Sequence, residues 1–183
     1  MFASGIPHGP PRIGYCCLFR SPAADAKDEV RFNVTSTTVT ALQRMERAAA
    51  FEKVLALVAR NLVAMEAHLR RVATASPIER ILRLDGNVLP AFTHPVARWM
   101  YDEPAMRELV EAGLGACGRI AREGGVRLGL HPGPFCVLAS PNPAAVENGV
   151  SELEYHTDGA GGGRAFGAGL AGAFGHDVER GSQ

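Results

Sequence analysis

The residues best placed to do chemistry in this chain are His94, His131 and Asp85, with Asn87 and Tyr15 near them. Each of the two histidines precedes a proline, in Thr93-His94-Pro95 and His131-Pro132-Gly133. Neutral imidazole is a common ligand for zinc and manganese-like ions. Histidines that follow neighbouring parallel strands can converge on one point. Histidine before proline is also an ordinary turn residue, so spacing alone leaves both readings open. Asp85, in Asp85-Gly86-Asn87, offers a carboxylate, yet the same tripeptide is turn chemistry, in which Asp bonds backbone two residues on. Tyr15 reads as a core or rim aromatic as readily as a ligand contact. No nearby carboxylate pair completes a metal site. His68, within a helical pattern, and His8, near the N-terminus, carry no comparable signal.

These groups meet only if regular elements present them together. Residues 12–17, Arg-Ile-Gly-Tyr-Cys-Cys, form a short apolar run that predicts a strand. A polar stretch over 20–38 predicts a long loop. Over 40–72, Leu55, Val58, Leu62, Met65 and Leu69 recur at helical steps, in a segment long enough for two helices. Ser76-Pro77 breaks it. Residues 78–84 predict a second strand, closed by the Asp85 turn and a loop through His94. Asp102-Glu103-Pro104 predicts a helix start, with Asp102 as cap and Pro104 in the first turn. This helix runs to Glu123, weakened by Gly113, Gly115 and Gly118 and stopped by Gly124-Gly125. Residues 126–130 predict a third strand, and 144–156 a last helix capped by Ser140 or Asn142.

The order β-α-β-α-β-α predicts a parallel α/β sheet with right-handed crossovers. An open doubly wound sheet and part of a barrel both satisfy it. No Gly-x-Gly-x-x-Gly follows the first strand, so a dinucleotide fold gains no support. In either architecture reactive groups gather where strands end. That rule selects Tyr15, then Asp85, Asn87 and His94, then His131.

The pattern divides the chain into a Gly/Pro-rich arm (1–11), a folded domain (12–158) and a Gly/Ala-rich tail (159–183) expected to be flexible. Lys plus Arg equals Asp plus Glu, 19 each. Zero net charge argues against a non-specific nucleic-acid coating protein, though not against one local binding patch. Cys16, Cys17, Cys117 and Cys136 lack Cys-x-x-Cys spacing and are expected as reduced, buried thiols. Cys16 and Cys17, adjacent on a strand, would point to opposite faces. No apolar run is of membrane-spanning length and no signal peptide is read, so a cytoplasmic location with no membrane partner is expected.

Five ordered segments resemble the UV-damage endonuclease family. Residues 12–17 are similar to its opening Arg-Leu-Gly-Tyr strand. The threonine-rich run 35–40 and Asn61-Leu62 sit where the family has similar features. Leu82-Arg83-Leu84, Leu89-Pro90 and Thr93-His94-Pro95 resemble its second strand and Ser-His-Pro-type loop. Residues 125–133 are similar to its Gly-Ile-Arg-Leu-Ser-x-His-Pro-Gly, and residues 137–141 and 152–156 follow in the same order.

The resemblance implies a (β/α)₈-type barrel, of which this chain would carry about three β/α units. It implies a metal-dependent endonuclease that nicks damaged double-stranded DNA beside UV photoproducts and other lesions. Manganese is the first expectation for the divalent metal, with magnesium or zinc as alternatives. His94 and His131 match family metal ligands, Tyr15 matches a residue near the damaged bases, and Pro134-Phe135 stand where the family has Gln and an aromatic that probe the lesion. Proline at 134 retains only the stacking half of that probe, and Phe19 replaces a family Asn. Further ligands and the catalytic residue would belong to β/α units that a truncated chain lacks. Unpaired sheet edges would then favour self-association. A sugar-isomerase-type barrel metalloenzyme and a non-enzymatic remnant are the alternative expectations.

Overall fold

A computed structural model describes residues 13–20, 32–131 and 136–157; the arm 1–11 and the tail 159–183 lie outside the described residues. The elements, in order, are β1 (Tyr15–Cys16), α1 (Val39–Gln43), α2 (Arg47–Ala73), β2 (Ile81–Asp85), α3 (Pro95–Arg98), α4 (Pro104–Glu123), β3 (Arg127–His131) and α5 (Pro143–Thr157), with short 3₁₀ turns between some of them. The strands pair in parallel in the order β1-β2-β3. The predicted alternation and parallel sheet are therefore present.

Three elements differ in extent from the sequence expectation. The first strand is only two residues long, although Cys17 N–H to Arg83 O (2.8 Å) extends its docking on β2 and Ile13 N–H to Ile78 O (3.1 Å) ties it to the turn before β2. Residues 77–79 form a 3₁₀ turn led by Pro77, so β2 starts at Ile81. The 40–72 segment is two helices: Thr38 Oγ1 caps α1 by accepting from Ala41 N–H (3.2 Å), and α2 begins after Glu46.

α2 buries Val54, Val58, Leu62, Met65, Leu69 and Val72. Leu55, expected on that face, is only partly buried at its margin, and Val54 takes its place. Pro104 at the first turn of α4 biases the preceding residue toward extended backbone. Glu103 is therefore the cap residue, without a side-chain bond, and not Asp102. Asp102 instead closes the preceding 3₁₀ turn and pairs with Arg107 at 3.2 Å. The helix ends as predicted, with Gly125 at φ +61°, a backbone conformation that glycine adopts without steric cost. Gly113 has a packing reason: a Cβ there would lie 2.5 Å from Leu62 Cδ1, where α4 meets α2.

The sheet is covered unequally. Leu82 and Leu84 of β2 and Leu128 of β3 are buried in the core with the apolar faces of α2 and α4. Each such leucine contributes about 1.5–3 kcal/mol of burial free energy. The alternate residues Arg83 and Arg127 are exposed on the opposite face.

Among the described residues, two polar side chains lie inside this core. Asn61 on α2 is fully buried. Its Oδ1 accepts from Thr35 N–H (2.9 Å), and its Nδ2 donates to Thr35 O (2.8 Å) and to the carbonyls of Asn87 and Val88 (3.2 Å each). One side chain thereby ties the segment before α1, helix α2 and the turn after β2. Arg60, its neighbour, bonds Thr35 Oγ1. His68, about two turns further along α2, meets Phe19 and Phe32 edge-on at 6.0 and 6.4 Å.

Replacing Asn61 with Leu would leave Thr35 N–H and its carbonyl partners without their buried bonds. We expect Asn61→Leu to lower stability by about 2–3 kcal/mol, read from denaturant midpoints. Burial lowers the His68 pKa from its ordinary 6.5. The unfolded chain therefore takes up a proton first as pH falls, and the stability held above pH 6.5 declines toward the folded-state pKa. Between about pH 7.5 and about pH 5, the wild type should lose more stability than His68→Phe. Equal losses in urea titrations of the two proteins would contradict this.

Candidate functional site

Parallel pairing aims the carboxyl ends of all three strands the same way, and the register sets what stands there. Asp85 and His131 are direct partners across β2 and β3. Around them opens a cavity of about 770 Å³ lined by Cys17, Asp85, Asn87, His94, His131 and Glu152, among others. The volume lies in the range of small-molecule and cofactor clefts. Four of the residues selected from the sequence, Asp85, Asn87, His94 and His131, are thus brought to one space.

Local bonds hold each wall. Asp85 Oδ1 accepts from Asn87 N–H and from Asn87 Nδ2, both at 2.8 Å. The turn reading of Asp85 is realised, and Oδ2 stands outside those two bonds. His94 is not a plain loop residue: it caps α3, its Nδ1 accepting from Val96 N–H at 3.2 Å. Its own N–H donates to Ala91 O (3.0 Å), and Ala91 sits at φ 56°. Positive φ at a residue with a Cβ costs free energy and persists only where its surroundings enforce it. Tyr101 anchors the residues on either side of Ala91. Its hydroxyl donates to Pro90 O (2.7 Å), and its ring meets Phe92 at 4.8 Å. Burial raises the Tyr101 pKa far above the usual phenol value, so the hydroxyl stays a donor.

α5 supplies the far wall. Ser140 Oγ accepts from Asn142 N–H (3.2 Å), and Asn142 Oδ1 from Ala144 N–H (3.1 Å), so both expected capping residues are used in series. The helix carries Glu152 to Thr93, whose hydroxyl lies 3.4 Å from Glu152 Oε2. Sequence reasoning missed Glu152 and Cys17 as site residues. Glu152 lies in mid-helix without a motif, and its only signal is membership of the 152–156 segment.

The donor chemistry suits a divalent metal; the arrangement is not a formed metal centre. Among the described residues no three His, Cys, Asp or Glu side chains cluster closely enough to hold an ion. A neutral imidazole whose Nδ1 accepts a hydrogen bond carries its proton on Nε2 and has no second lone pair to give. Capping and ligation are therefore alternatives for His94, and binding an ion through Nε2 requires the Val96 bond to break.

The remaining expectations separate. Tyr15 is 43% exposed on β1, in register with Leu82, and does not line the cavity. Pro134 and Phe135 lie outside the described residues. Phe19 packs 4.5 Å from Phe32, and Asn33 holds its backbone from both sides (2.7 and 3.1 Å). The cysteines depart from expectation. Only Cys117 is buried, while Cys16 is exposed and Cys17 and Cys136 are half-buried. Cys16 and Cys17 do not diverge to opposite faces: Cys17 has left the strand at φ 53°, and the sulfurs are 3.7 Å apart.

Residues 11–159 match the model of the family described as UV-endonuclease UvdE. The chain is 32% identical over 76 residues to the UV DNA damage endonuclease of Bacillus pumilus, covering 42% of this chain and 22% of that protein. It is 40% identical over 79 residues to the UV-damage endonuclease of Neurospora crassa, covering 43% of this chain and 11% of the relative. The matched stretches thus span about a fifth or less of those relatives. The solved structure of SacUVDE superposes with a TM-score of 0.62 at 20% identity, over 86% of this chain and 46% of that one. At that identity the likeness establishes the fold.

The capping role of His94 can be separated from any chemistry. His94→Ala should lose about 0.5–1 kcal/mol of stability, whereas His94→Asn, which keeps a cap acceptor, should stay within a few tenths of the wild type. Matching urea midpoints for wild type and His94→Ala would show that the Val96 bond contributes nothing.

Proposed function

From the premise that this chain belongs to the UV-endonuclease UvdE family, we propose that it acts in excision repair as a metal-dependent endonuclease nicking the backbone of damaged double-stranded DNA beside UV photoproducts and other lesions. The observation that carries this reading is the gathering of Asp85, His94 and His131 on one cavity at the carboxyl ends of the strands. The fold segment is read as about three units of a (β/α) barrel, the architecture in which that end holds the chemistry.

His94 and His131 are the residues proposed to hold the ion, manganese in the first instance, with further donors from outside the described residues. When bound, a divalent ion of this kind supplies hydroxide at neutral pH and stabilises the leaving oxygen of a phosphodiester. The rest falls to the protein's own groups. Asp85 holds the Asn87 turn with Oδ1, keeping the cavity wall in place. Leu18, exposed and lining the cavity, presents apolar surface there, and Tyr15 is exposed on β1. Such surface reads deformability: a lesion that weakens stacking makes the duplex cheaper to kink or unstack. Recognition of this kind needs no excess of positive charge over the whole chain.

Among the described residues β1 and β3 each pair on one side only. Their open edges support self-association as part of this reading. No helix among the described residues is long and apolar enough to cross a membrane; a cytoplasmic location remains part of the proposal.

The test is nicking of a duplex carrying a single UV photoproduct, with manganese supplied, at several protein concentrations. Wild type should nick beside the lesion, and His94→Ala and His131→Ala should not. His94→Asn should follow His94→Ala in this assay while matching wild type in stability. Nicking that survives in both alanine variants would remove the histidines from the mechanism. No nicking at any concentration, beside an active full-length relative, would overturn the activity for this chain.

A further inference from the structure

Cys16 and Cys17 are a pair of reactive side chains that the proposed nuclease chemistry does not use. Successive strand residues point their side chains to opposite faces, so adjacent cysteines in a strand are normally held apart. Here the strand ends between them. Leu18 N–H donates to Cys16 O at 2.6 Å, across Cys17 at φ 53°. That is the three-residue turn with positive φ at its centre, the rare and strained form. Cys17 N–H stays anchored on Arg83 O of β2 at 2.8 Å. The turn swings the Cys17 side chain round to within 3.7 Å of Cys16 Sγ, with Leu84 O on its other side at 4.0 Å. Cys16 is exposed, so an incoming reagent reaches the pair from solvent. Cys17 lines the large cavity beside Asp85, so whatever the pair captures sits on the cavity wall.

We propose that Cys16 and Cys17 form a vicinal dithiol site for a soft, thiophilic trivalent centre, with trivalent arsenic as its chemical type. Thiolate and thiol sulfur are the soft donors that such centres select. Capture by the first sulfur makes the second step intramolecular, and a short tether raises the effective concentration of the second thiol to the millimolar range or above. With phenylarsine oxide the step balances without redox change. Two As–S bonds form, the arsenic–oxygen bond breaks, and the two thiol protons leave with that oxygen as one water. Arsenic stays trivalent. Burial, then the bond and charge of Cys16 and the charge of Asp85, push the Cys17 thiol up to about 12. A thiol so disposed is a poor target for oxidation through its thiolate. It still reacts where its proton departs with the leaving oxygen. Cys117 is buried, and Cys136, although it lines the same cavity as Cys17, is held by its own bond to Gly149 O of α5 (3.4 Å), so each offers one sulfur only.

The experiment treats the reduced full chain with phenylarsine oxide and reads intact mass after challenge with excess glutathione, a monothiol. One adduct per chain should survive glutathione, consume two titratable thiols and be released by dithiothreitol. Cys16→Ser and Cys17→Ser should each weaken retention by about 100-fold or more. Cys117→Ser and Cys136→Ser should retain the adduct as wild type does. Circular dichroism of the serine variants separates loss of the site from loss of the fold. Retention unchanged in folded Cys16→Ser or Cys17→Ser would overturn the proposal, as would a wild-type adduct stripped by glutathione.

Discussion

The architecture around the cavity depends on one buried amide. Asn61 bonds the backbone of Thr35 on one side and the carbonyls of Asn87 and Val88 on the other. A buried amide is tolerated only when its donors and acceptor are all met. Helix α2 therefore has one rotational setting relative to the turn after β2. A setting that left Asn61 in the core without those partners would carry the desolvation cost of an unsatisfied buried amide. Because Asn87 belongs to the turn that Asp85 holds, the position of the cavity wall follows from a residue that never reaches the cavity.

The candidate site is built from side chains with local duties. Asp85 closes a turn, His94 caps a helix, and Thr93 approaches Glu152. Such bonds fix rotamers at small cost and keep polar groups aimed at one space. They also restrict chemistry: an imidazole that accepts a hydrogen bond at Nδ1 has no lone pair left at Nε2. The open cavity and the helix cap thus describe one state of His94, and ligation of an ion describes another. Ala91, at positive φ beside the Pro90 carbonyl that Tyr101 bonds, lies in the loop that delivers this histidine. Stored strain near a reactive group is a common feature of sites that must hold an otherwise unfavourable geometry.

The sheet explains why several family-like features map well and others do not. Leu82, Leu84 and Leu128 turn one face to α2 and α4, and the register of β2 with β3 then places Asp85 beside His131 without further instruction. Phe19 shows the opposite case. It stands where the family pattern has Asn, and it packs with Phe32 and His68. An aromatic ring loses more by standing in water than a polar side chain does, and this one is half-buried against those rings.

Alternation of strand and helix, the face of α2, the glycine stop of α4, the Asp85 turn and the paired histidines after β2 and β3 were all legible in the sequence. Each depends on contacts a few residues apart: periodicity, capping and turn preference. The family itself was legible too, from motifs in order. Glu152 at the cavity, the docking of Asn61 on three segments, the packing of Phe19 and the approach of Cys16 to Cys17 were decided by tertiary structure. The first three join residues that the sequence separates by tens of positions, where local preference carries no information. The cysteine pair is local, yet strand alternation predicts the wrong faces, because β1 ends one residue earlier than its apolar run. Where a short strand stops is set by what it pairs with, and β2 pairs regularly with β1 only as far as Cys16.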